Sequence, residues 1–132
     1  MDDDALSRIT EWPDYVLVDF GSCNGLELSE TYRCFAELCV GKHVNRALLK
    51  AGDNDPEGHR RLQDALSAMA RSAAISPDFK LALVPGSPPI EAVYREAQQA
   101  CRAIGLNAWI FPTIGEASDW LQGRAQADPA AS

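Results

Sequence analysis

Apolar residues follow two different rhythms along this chain. Short unbroken runs alternate with longer stretches in which apolar side chains recur every third or fourth residue. Tyr15-Val16-Leu17-Val18-Asp19-Phe20, the segment 44–51 around Ala47-Leu48-Leu49, the run 79–84 and Ala108-Trp109-Ile110-Phe111 read as strands. Between them, helical spacing groups Tyr32, Phe35, Leu38 and Cys39 behind Ser29 as N-cap. The same spacing groups Leu62, Ala65, Leu66, Met69 and Ala73 over 57–74, and Ile90, Val93, Tyr94, Ala97, Cys101 and Ile104 over 90–104. A short closing helix over 116–121 presents Ala117, Trp120 and Leu121.

Strands alternating with helices of this length predict an α/β fold: one sheet of four or five mostly parallel strands, in β-α-β-α-β-α-β-α order. The apolar character of 81–84 on both faces places that strand at the sheet centre. Residues 1–14 form an acidic N-terminal segment with a short edge strand near 7–11. Residues 15–122 form a single domain, and 123–132 form an Ala/Asp/Pro/Ser tail expected to be disordered.

Charge narrows the partners. The net charge of −7 is uneven: residues 1–41 hold nine acids against Arg8 and Arg33, while 42–61 hold five bases against Asp53, Asp55 and Glu57. So small a basic excess argues against binding nucleic acid. The longest apolar runs fall far short of a membrane span, and Met1-Asp2-Asp3-Asp4 lacks a signal-peptide pattern, so a cytoplasmic protein is expected. Of the four cysteines none forms a CxxC or Cys/His pair, which predicts reduced, buried thiols.

The candidate chemistry is sparse. Asp53, Asp55, Glu57, Gly58 and Asp64 imitate a calcium loop, but Arg60 replaces its apolar eighth position and Asp64 its longer glutamate. His43 and His59 stand beside basic residues without a nucleophile motif and read as solvated. Asp19, ending the first strand, lacks the partner lysine and acidic cluster of a phospho-acceptor. Trp12, Trp109 and Trp120 read as packing. No catalytic residue, metal ligand or cofactor site emerges.

In its motifs the chain resembles the SpoIIAA-like branch of the STAS fold, the anti-sigma-factor antagonist and sulfate-transporter domain. The similar pieces are Val16-Leu17-Val18-Asp19-Phe20-Gly21, Phe79-Lys80-Leu81-Ala82-Leu83-Val84, Val93-Tyr94-Arg95, Gly105-Leu106-Asn107-Ala108-Trp109-Ile110-Phe111 and Glu116-Ala117-Ser118-Asp119-Trp120-Leu121. The resemblance implies a regulatory, protein-binding module rather than an enzyme. In the family's antagonists a serine at a helix start after a central strand is phosphorylated. The corresponding loop here, 51–58, has no serine or threonine and carries Asp53, Asp55 and Glu57 instead.

Two functional expectations follow. One is a surface for a protein partner, a second copy included, around Asp53, Asp55, Glu57, Arg60 and Arg61, with the helix at 29–40 beside it. The other is a small-molecule or anion crevice at the strand C-termini, formed by Ser22, Asn24, Gly86, Ser87, Tyr94 and Arg95. For Arg95 the plainer expectation is an exposed ion pair with Glu91 one turn back.

Overall fold

The computed structural model describes residues 7–42, 44–71 and 78–123. Strands β1 (Ile9–Glu11), β2 (Val16–Asp19), β3 (Arg46–Lys50), β4 (Lys80–Val84) and β5 (Asn107–Ile110) stand side by side in chain order. β1 runs antiparallel to β2, and the other three pairings are parallel. Helices α1 (Gly25–Lys42), α2 (Arg61–Arg71), α3 (Pro88–Ala103) and α4 (Ile114–Leu121) alternate with them, and a 3-10 turn, Pro56–Arg60, leads into α2. The α/β class and the strand-helix alternation agree with the pattern in the sequence, and the edge strand near 7–11 is present.

Register makes the two faces of the sheet. Val16, Ala47, Leu81 and Ala108 lie in one row and Val18, Leu49, Leu83 and Ile110 in another. Successive side chains on a strand point to opposite faces. This set faces Leu28, Tyr32 and Phe35 of α1, Leu62, Leu66 and Met69 of α2, and Ile90, Tyr94, Ala97 and Cys101 of α3. The alternate set, with Leu48, Ala82 and Val84, packs on Ala117, Trp120 and Leu121 of α4. Three helices thus cover one face and α4 the other.

Three boundaries and one strand's place in the sheet differ from expectation for local reasons. α1 begins at Gly25, whose φ of +59° turns the chain into the helix, so Ser29 lies a full turn inside. The single helix expected over 57–74 is split: Asp55 accepts from the Glu57 amide, Pro56 starts the tight turn, and α2 follows. α4 starts two residues early because the Thr113 hydroxyl accepts from the Glu116 amide at 3.2 Å. β4 is interior and covered on both faces, but β3 holds the middle place.

The free edge of β5 is sheathed from within. The Ile110 amide donates to Gln98 Oε1 of α3 at 3.0 Å, and the Arg102 guanidinium lies 4.1 Å from the Trp109 ring centroid. All four cysteines are buried thiols outside any disulfide, and burial pushes the Cys39 and Cys101 thiols up to about 12. His43 and nearly all of the expected tail lie outside the described residues.

Candidate functional site

The turns leaving β2, β3 and β4 meet at one end of the sheet. The Ala51 amide donates to Val84 O at 2.9 Å, and the Asp53 amide to Gly21 O at 2.8 Å. Gly52 passes so near the turn after β2 that a Cβ there would overlap the Gly21 carbonyl oxygen. Asn54 then fills the gap. Its Oδ1 accepts from the Gly52 amide at 2.8 Å, and its Nδ2 donates to Gly21 O at 3.2 Å and Cys23 O at 2.7 Å. The Asp55 amide adds a bond to Asn24 Oδ1.

Behind Asn54 lies a buried polar chain that joins three helical segments. His59, fully buried on the 3-10 turn, faces Asn54 Oδ1 with Nε2 at 3.0 Å and Tyr32 Oη with Nδ1 at 2.6 Å. Tyr94 Oη of α3 stands 3.2 Å from Tyr32 Oη and 3.3 Å from Nδ1. Asn54 Oδ1 only accepts, so Nε2 carries the proton and Nδ1 accepts from Tyr32. Tyr94 in turn donates to Tyr32, and each hydroxyl proton has a place. Burial drives the His59 pKa down to about 4, against a smaller upward pull from Asp55. The imidazole is therefore neutral at pH 7, with both nitrogens held by internal partners.

His59 is thus a core residue, which corrects its reading as a solvated surface histidine. Its signal was available: His59, Leu62, Leu66 and Met69 fall on one helical stripe. Tyr94 is equally buried and belongs to this chain of hydroxyls, not to a crevice wall. Arg95 is exposed and forks onto Glu91 at 2.7 and 3.1 Å, the plainer of its two expected roles. Ser22 and Gly86 are exposed, and Ser87 caps α3 without a side-chain hydrogen bond. Among the described residues no group of three acids, histidines or cysteines is placed to hold a metal ion.

The other expected surface lies at the 3-10 turn. Asp53, Asp55, Glu57, Arg60 and Arg61 are all exposed on the turn and the start of α2. Arg60 is tied to Glu57 at 3.0 Å and to Glu96 of α3 at 3.1 Å, which fixes the turn against α3. Arg61 stands at the mouth of a groove between α1 and α2. Two hollows of about 240 and 380 Å³ share Ala36 and Ala68, so they run into one another. Small side chains leave this space: Ala36 on α1 faces Ala65 and Ala68 on α2, with Val40 and Met69 at the far end. Arg33, Glu37, Arg61 and Asp64 rim it, and Arg33 is held between Glu30 and Glu37.

Comparison with family models, curated proteins and solved structures returns no match to this chain.

Proposed function

We propose that this chain is a STAS-like regulatory module of the cytoplasm, non-enzymatic, which acts by docking a partner protein in the groove between α1 and α2. The observation that carries this reading is the groove itself: an apolar trough rimmed by charge between α1 and α2, which Arg61 of the expected surface borders. A trough of this kind suits one amphipathic helix, whose apolar stripe would sit on the alanines. Charged rims would then set its direction more than its affinity. The core offers support of a different kind, because the His59 chain holds α1, the turn and α3 in fixed relation. A preformed groove costs less ordering entropy on binding.

The test is capture from the source cell with the wild-type chain and with Ala68→Arg, which fills the groove from an exposed helix position. A stoichiometric partner held by the wild type and lost with Ala68→Arg is the expected result. Sedimentation of the isolated chain separates a second copy from a different partner. Equal capture by both proteins, or a lone monomer that turns over a compound in a broad substrate screen, would overturn the reading.

A further inference from the structure

The end of the sheet opposite the Asn54 turns carries an arrangement that the docking groove does not use. Arg46, Lys80 and Asn107 are register partners at the starts of β3, β4 and β5, so they form one row across three strands. Neighbouring strands lie about 4.8 Å apart, which sets two cationic side chains side by side on one face. Among the described residues neither has a carboxylate partner; Lys80 Nζ sits 5.3 Å from the Trp120 ring centroid. Arginines 33, 60, 61 and 95 are each paired with an acid. In a chain of net charge −7, two adjacent cations without a carboxylate partner among the described residues call for another explanation than solubility.

They also line a cavity. A polar basin of about 360 Å³ is bounded by Asn45, Arg46, Asp78, Phe79, Lys80 and Asn107. That volume lies within the range of about 300–1,000 Å³ usual for small-molecule sites. Asn107 is oriented for donation: its Oδ1 already accepts from Trp109 Nε1 at 2.6 Å, which leaves its NH₂ as the free end of the amide. The residues bounding the basin thus include an arginine, a lysine and an asparagine with a free amide donor, with Asp78 as the one carboxylate among the described lining residues.

We infer that this basin binds a small phosphate monoester, its phosphate between Arg46 and Lys80 and a hydroxyl of its organic part toward Asp78. Two cations match a dianion, where a single carboxylate needs only one. The arginine fork suits two oxygens of a tetrahedral phosphate, and lysine serves as a point charge. The acid disfavours a second phosphate and favours a hydroxyl donor. The inference is independent of the α1–α2 groove, which lies among the helices on the other face.

Isothermal titration with inorganic phosphate, glycerol 3-phosphate and succinate, at ionic strength matched with sodium chloride, tests it. Glycerol 3-phosphate should bind saturably and more tightly than phosphate. Arg46→Gln and Lys80→Gln should each weaken it about tenfold or more, as loss of a charge-assisted hydrogen bond implies. Without ligand, Arg46→Gln should melt no lower than the wild type, because it removes a like-charge neighbour. Ala68→Arg should leave the affinity unchanged. Three results would overturn the inference: no saturable binding of either phosphate, equal affinity in the Arg46→Gln/Lys80→Gln double variant, or succinate binding tighter than glycerol 3-phosphate.

Discussion

Mild acidification should loosen this protein through His59. In the unfolded chain a histidine titrates near 6.5, whereas burial holds folded His59 at about 4. The sign follows from proton counting. Above pH 6.5 both states are neutral at this site and its full stability is present. Between 6.5 and 4 the unfolded chain takes the proton and the folded one does not, so stability falls as pH falls. The whole loss is about 3 kcal/mol, and about 2 kcal/mol of it should be gone by pH 5. Geometry explains the cost. A protonated Nδ1 beside the buried ring of Phe20 must donate to Tyr32, which reverses the hydroxyl chain and leaves the Tyr94 proton without an acceptor.

Urea unfolding followed by tryptophan fluorescence at several pH values between about 7 and 5 measures this slope. Glu30, held below its ordinary range by the Arg33 hydrogen bond, loses its share only at lower pH and does not enter that window. His59→Gln should be less stable at pH 7, yet its stability should hardly change across the window. A wild type with no slope, or a His59→Gln protein with the same slope, would refute the assignment.

Three further outcomes follow from the same geometry. Gly52→Ala should lower stability by about 2 kcal/mol or more by urea titration, because its Cβ meets backbone at Gly21 rather than a movable side chain. Tyr32→Phe should cost more than Tyr94→Phe in the same assay: the first leaves His59 Nδ1 only the longer 3.3 Å contact, while the second removes only the terminal donor. The gap should be about 1 kcal/mol. Arg95→Ala should move the thermal midpoint little, since its exposed pair with Glu91 is worth only about 0.3–0.5 kcal/mol.

Local pattern was enough for the strands and the helix faces, because burial leaves a period in the sequence. Val16 and Val18, Leu49, and Leu81 and Leu83 all face the layer of three helices, as alternation within apolar runs requires. The polar chain was harder to see. His59 stands among Asp55, Glu57, Arg60 and Arg61, and that charged company masked its place at the head of the Leu62–Leu66–Met69 stripe. Asn54 reads locally only as a turn residue, since its partners at Gly21 and Cys23 lie 33 and 31 residues away. The groove was invisible for a related reason. Ala36 and Ala68 are ordinary helix formers until tertiary packing sets them opposite each other.

The expectation of a crevice at the strand C-termini rested on a rule with a topological premise. In doubly wound sheets the crevice opens where the strand order reverses, because successive crossovers there go to opposite faces and their turns diverge. Here the order is sequential from β1 to β5, and α1, α2 and α3 all cover one face. The turns after β2, β3 and β4 are therefore neighbours in a file, each close enough to bond the next. Gly52 against Gly21 and Gly86 against Ala51 make that approach, and Asn54 seals it. At the other end no comparable seal joins β3, β4 and β5 among the described residues, and Arg46, Lys80 and Asn107 border a basin. A sequential sheet thus closes the strand C-termini and leaves hollows in the helix layer and at the end where the strands begin.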